Sequence, residues 1–143
     1  MTLLRSDPGV TRSVDLEAAP AEVWDALTEE TLLREWLADE VELSPEPGGE
    51  IVCRYADGEE RRGEVELVEE AERLAWSWWR EDDASPTRVE LVLDAVAEGT
   101  RLTVIETAPL RATGPLLGAT PLAAGVWSPP LARLRAAVRL VLA

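Results

Sequence analysis

The chain has 143 residues, 46% apolar and 29% charged, which fits one globular domain spanning 1–143 with a sizeable core. It holds no His, Lys, Asn, Gln or Phe, and Cys53 is its only cysteine, so a Ser-His-Asp triad, a Cys-His pair, a His- or Cys-built zinc site, a Schiff-base lysine and an intrachain disulfide are all excluded. The net charge of −14 leaves no basic footprint for nucleic acid or for an anionic membrane surface.

No apolar run approaches the ~18 residues of a membrane span. Met1 to Pro8 lack an apolar signal-peptide core, so a cytoplasmic protein is expected. The acidic surface reads first as a solubility device; docking to a basic protein partner is the sharper alternative.

Val10, Val14 and Leu16 alternate with polar residues, with Arg12 interrupting, and predict a half-buried strand. Ala19-Pro20-Ala21-Glu22 opens a helix, because Pro suits a first helical position and an acidic side chain suits the positive helix end. Val23, Trp24, Ala26 and Leu27 form its apolar face. A second helix is expected from about Glu29 to Ala38, with Leu32, Leu33, Trp36 and Leu37 at helical spacing.

After Asp39 the period changes to two. Short strands are predicted at Val41–Leu43 and around Ile51, Cys53 and Tyr55, separated by Pro45-Glu46-Pro47-Gly48-Gly49. Asp57-Gly58 is a hairpin turn signal leading into Gly63, Val65 and Leu67. Leu74, Trp76 and Trp78 form one face of the next strand, with Trp79 pointing the other way. Val89, Leu91 and Leu93, then Leu102, Val104 and Glu106, continue the alternation across the Glu98-Gly99 turn. Residues 108–121 are rich in Pro, Gly and Thr, with Leu116 and Leu117 as a candidate apolar lid. A long amphipathic helix ends the chain, starting near Ala123 or Pro130, with Leu131, Leu134 and Val138 on one stripe. Pro129-Pro130 should kink it or mark its start. The order predicts an α+β fold: a curved antiparallel sheet of six to seven strands, two short helices after the first strand, and a long last helix covering the concave face.

The run Val14-Asp15-Leu16-Glu17-Ala18-Ala19-Pro20-Ala21-Glu22-Val23-Trp24-Asp25-Ala26-Leu27-Thr28 resembles the opening of the SRPBCC (START-like, helix-grip) superfamily. Within it the chain is most similar to the family related to the C-terminal domain of the heat-shock protein 90 ATPase activator. Trp36, Pro47-Gly48-Gly49, Gly63-Glu64-Val65, Glu72-Arg73-Leu74 before Trp76, Gly99-Thr100-Arg101-Leu102-Thr103-Val104, and Trp127 with Leu131 and Leu134 carry the resemblance further. It implies a deep cavity between the sheet and the last helix, and no shared catalytic residues. Relatives of this kind include lipid carriers, cyclases, hydrolases and co-chaperone domains, so the fold does not fix the function. The chain is expected to lack the N-terminal domain of the full co-chaperone.

Candidate ligand-binding residues follow from the predicted concave face. Trp76, Trp78 and Trp127 supply contact area and indole donors, and Leu91 and Leu93 an apolar floor. Tyr55, the only Tyr, shares the inward parity of Ile51 and Cys53 and brings a hydroxyl. Trp24 and Trp36 read as core, and Cys53 as a small buried hydrophobe. Arg12 and Glu106 break the apolar face and must be paired or reach water. The resemblance implies that the first strand lies antiparallel to the last; placing Val14 opposite Val104 then sets Leu16 opposite Leu102, Arg12 opposite Glu106, Glu17 opposite Arg101 and Asp15 opposite Thr103. The expected function is binding of a small apolar molecule by a monomer or homodimer, without metal or other cofactor. A metal-independent cyclase or hydrolase using Tyr55, Glu106 and Arg12, and a co-chaperone-like protein-interaction domain, are the alternatives.

Overall fold

The computed structural model describes residues 9–81, 86–108 and 127–142. Leu116, Leu117, most of the 108–121 stretch, the centre of the Glu81 to Pro86 loop and a helix start at Ala123 lie outside the described residues.

Strand β1 (Gly9–Leu16) leads into α1 (Pro20–Thr28) and the single-turn α2 (Glu30–Leu33). Six strands follow: β2 (Glu40–Leu43), β3 (Glu50–Arg54), β4 (Glu60–Glu69), β5 (Arg73–Arg80), β6 (Thr87–Val96) and β7 (Gly99–Thr107). The chain returns as α3 (Ser128–Leu142). The strands form one seven-stranded sheet in the order β1-β7-β6-β5-β4-β3-β2, so every neighbour except β1–β7 is a hairpin, and every pairing is antiparallel. This is the helix-grip α+β arrangement that the sequence predicts.

Local chemistry explains the turns. Pro20 begins α1, and Glu22 Oε1 accepts a hydrogen bond from the Ala19 N–H at 3.2 Å, satisfying one orphan donor of the first turn. Gly58 closes the β3–β4 hairpin at φ +93°, a conformation that costs a residue with a Cβ. Pro129 and Pro130 occupy the first turn of α3, where a missing N–H costs nothing, so they mark its start rather than a kink.

The second helix is shorter than expected. Beyond Leu33 the Glu35 and Trp36 N–H groups bond three residues back, to the Leu32 and Leu33 carbonyls, which tightens the chain into turns. The Trp36 indole meanwhile donates to the Ala26 carbonyl at 2.9 Å and clamps this turn onto α1.

The inward face of the sheet carries Val65, Leu74, Trp76, Trp78, Val89, Leu91, Leu93, Leu102 and Val104, all buried. Leu131, Leu134 and Val138 of α3 and Val23, Leu27, Leu33 and Trp36 of the short helices join the same cluster. The outer face holds exposed ion pairs such as Arg73–Glu69 and Arg88–Glu66, each contributing little alone.

The β1–β7 register differs from the expected one by two residues. Val10 lies opposite Glu106, Arg12 opposite Val104, Val14 opposite Leu102 and Leu16 opposite Thr100. Arg12 and Glu106 share the inward face but do not pair; Arg12 donates instead to the Thr11 carbonyl at 3.0 Å. On the outer face Arg101 meets Asp15, not Glu17, in a two-pronged contact at 2.8 and 3.2 Å, and Ser13, not Asp15, faces Thr103. A shift of two keeps every side chain on its face, so the choice falls to specific contacts. One is the buried Thr100 hydroxyl, which donates to the Ala18 carbonyl at 2.7 Å.

Candidate functional site

Strand β7 delivers Glu106 to the inward face beside β6, where its neighbour is Val89. Only 2% of the residue is exposed. A carboxylate so enclosed must find donors, and they come from three other elements. Trp78 of β5 donates its indole N–H to Oε2 at 3.0 Å, and Thr87 of β6 donates its hydroxyl to the same oxygen at 2.6 Å. Trp127, at the start of α3, donates to Oε1 at 2.9 Å. The Arg61 guanidinium of β4 stands 3.9 Å from Oε2. Every partner is a donor, which matches the acceptor capacity of a carboxylate.

Glu106 thereby fixes two indoles at once. The Trp78 and Trp127 rings stack with centroids 6.1 Å apart and planes 13° apart. Trp76 meets Trp78 edge-on at 5.5 Å and 68°. Arg61 Cζ lies 4.7 Å from the Trp78 ring centroid, a cation–π contact. Gly63 pairs with Trp78 across β4–β5, and a Cβ there would fall 2.0 Å from the Ser77 carbonyl oxygen and 2.8 Å from the Trp78 Cα. The strands approach this closely only because position 63 has no side chain.

A cleft of about 230 Å³ opens beside this cluster. Trp78, Trp127 and Arg61 form one wall, and Leu37, Tyr55 and Pro130 provide most of its remaining apolar surface. Asp57, Glu59 and Arg133 stand at its polar side. Asp57 accepts from the Glu59 N–H at 2.9 Å, and Glu59 binds Arg80 at 2.8 Å, so both acids are engaged. Burial, opposed by Arg61, holds the Tyr55 hydroxyl above its ordinary range, so it stays a protonated donor. Burial likewise pushes the Cys53 thiol up to about 12, leaving it unreactive.

The structure therefore brings Tyr55, Trp78, Trp127 and Glu106 together, with Trp76 directly behind Trp78. Leu91 and Leu93 sit farther along the inward face, inside the packed core. Arg12 lines a different cleft, between β1 and α3, with Leu131 and Arg135. The space expected as a deep cavity between sheet and last helix holds Trp76, Trp78, Trp127, Leu131 and Leu134, and the open volume beside the aromatic cluster is a cleft at its edge. Trp76 Nε1 finds no acceptor among the described residues. Arg61 and Thr87 were not singled out from the sequence, yet Arg61 shares the parity of Gly63 and Val65, and Thr87 that of Val89. Among the described residues no group of three or more Asp, Glu, Cys or His could hold a metal ion.

The model of the Activator of Hsp90 ATPase homolog 1-like protein family matches residues 17–139. The chain belongs to this family. Its fold superposes on DynU16, from the dynemicin biosynthetic locus, at 25% identity and a TM-score of 0.78, covering 94% of this chain and 48% of that one. This chain thus spans about half the length of DynU16. MLL2253 from Mesorhizobium loti matches at 21% identity and a TM-score of 0.77, covering 92% and 97% of the two chains. The Aha1 dimer from Colwellia psychrerythraea matches at 17% identity and a TM-score of 0.73, covering 91% and 95%. No curated protein matches this chain. Among the described residues no helix is long and apolar enough to cross a membrane.

Proposed function

We propose that this protein binds a small, largely apolar molecule in the cleft beside Trp78, Trp127 and Tyr55. One observation carries the reading: the buried Glu106 carboxylate locks both indoles in place at the wall of an open cleft. Aromatic walls fixed in advance reduce the ordering cost of binding. Membership in a fold family with biosynthetic-locus relatives such as DynU16 agrees with a small-molecule role.

The cyclase or hydrolase reading has less support. Arg12 lines a different cleft from Tyr55 and donates to the Thr11 carbonyl, not to Glu106, and the protonated Tyr55 hydroxyl has no base assigned to it. The interaction-domain reading draws on the family description and on the Aha1 dimer. Trp79, 42% exposed on the outer face, is the side chain it would use.

N-phenyl-1-naphthylamine, a neutral apolar probe, tests the proposal. It should bind with low-micromolar affinity and quench tryptophan emission, and Trp127→Ala should weaken it about tenfold or more. An unchanged affinity in a folded Trp127→Ala variant, or no binding at all, would refute the proposal.

A further inference from the structure

The cleft is lined by two arginines with no close carboxylate among the described residues, a state they share with Arg12, Arg34 and Arg135. Acids outnumber arginines 28 to 14, and most described arginines are taken. Arg54, Arg62, Arg73, Arg80, Arg88 and Arg101 each hold a carboxylate oxygen within 3.1 Å. The two arginines that line the cleft do not. The Arg61 guanidinium makes no hydrogen bond among the described residues, and its carboxylate partner, Glu106, is 3.9 Å away. Among the described residues the Arg133 guanidinium donates only to a neutral acceptor, the Trp36 carbonyl, at 3.2 Å.

The free donors of the cleft decide the sign of its ligand. Glu59 is held by Arg80 and Asp57 accepts from the Glu59 N–H while keeping its charge, whereas Arg61 has only the long contact with Glu106. Arg133 lines the cleft with no carboxylate on it among the described residues. A cationic ligand would want the face of Trp78, but Arg61 already covers that face, and Trp127 is stacked against the same ring. A guanidinium presents five donors in a fork suited to a planar carboxylate, and at 23% side-chain exposure Arg61 can be reached from the cleft while staying partly desolvated. Leu37, Tyr55 and Pro130 supply apolar surface in the same cleft.

Resting on the small-molecule reading above, we propose that the ligand is a small apolar monocarboxylic acid, with its carboxylate on Arg61 and Arg133 and its apolar body against Tyr55, Leu37 and Pro130. The volume, below the ~300 Å³ at the lower end of ordinary ligand pockets, limits that body to one or two rings or a short chain. Arg61 is then the residue that sets specificity. It exchanges a long contact with Glu106 for a forked one with the ligand, while the indoles and Thr87 continue to satisfy Glu106.

Calorimetric titration with 2-naphthoate, methyl 2-naphthoate and 2-naphthylmethylammonium tests this on the intact protein. The three share a body and differ in charge. Naphthoate should bind about tenfold or more tightly than its ester, the ammonium compound weakest, and added salt should narrow the gap. Arg61→Met should bring naphthoate down to the ester's affinity without affecting the ester. If that variant does not fold, Arg133→Met and the wild-type ligand series decide. An ester or ammonium compound that binds as well as naphthoate overturns the acid proposal and leaves the small-molecule reading intact. The same holds if N-phenyl-1-naphthylamine binds and naphthoate does not. If no naphthyl compound and no neutral probe binds, both fall.

Discussion

The two ends of the sheet's inward face obey one parity rule and do different work. At one end Leu16, Leu93 and Leu102 share the buried cluster with Leu134 and Val138, and the buried polar group is Thr100, whose hydroxyl is satisfied by a backbone carbonyl. At the other end the same alternation places Glu106 where an aliphatic residue would pack, and surrounds it with Trp78, Trp127, Thr87 and Arg61. The aliphatic end stabilises chiefly by burial. The aromatic end gives up part of that gain to desolvate a carboxylate, and obtains fixed indole positions and a cleft in return. Burying an acid in a network is weak evidence for stability; here its visible consequence is geometry.

That contrast can be broken from either side. Leu134→Ala should have the largest effect, about 4 kcal/mol lost in urea denaturation, because a fully buried leucine leaves a cavity. Binding at the cleft should hardly change. Glu106→Ala should cost about 3 kcal/mol, since it strands two indole donors and a hydroxyl. It should also shift tryptophan emission, and Glu106→Gln should recover part of the loss because its amide oxygen still accepts. If Glu106→Ala proves neutral, the carboxylate does not organise the aromatic end.

Alkaline pH gives a smaller signal. Burial raises Cys53 in the folded chain from 9.0 to about 12 and raises Tyr55 as well. In the unfolded chain the thiol ionises first, so the unfolded state binds fewer protons and stability falls as pH rises from about 9 toward 12. Below 9 this contribution is fully present. Cys53→Ala should flatten that slope, and the native thiol should resist a thiol reagent at pH 8. The least effect belongs to the exposed Asp15–Arg101 pair: Asp15→Asn should leave the urea midpoint within error of the parent, because solvent screens it.

The strands, their faces and the long last helix were legible because hydrophobic alternation is a local signal. Glu106 also stood out, as a charge on an apolar face. Its partners did not, since Trp78 and Trp127 lie 28 and 21 residues away and only the folded sheet and α3 bring them near. The same limit explains the β1–β7 register. Both registers preserve parity and both offer Arg101 an acid, and the contacts that decide between them, such as Thr100 with Ala18, span 82 residues. Arg61 could have been found by applying to β4 the test that exposed Glu106 on β7.

The six tryptophans make the central claim directly measurable. Their indole N–H groups should give six signals in a ¹⁵N correlation spectrum, assignable by single substitutions. During titration with 2-naphthoate the Trp78 and Trp127 signals, both bonded to Glu106, should shift together, while Trp36, bonded to Ala26, should stay fixed. A spectrum in which Trp36 or the exposed Trp79 moves and the Glu106-bound pair does not would contradict the account.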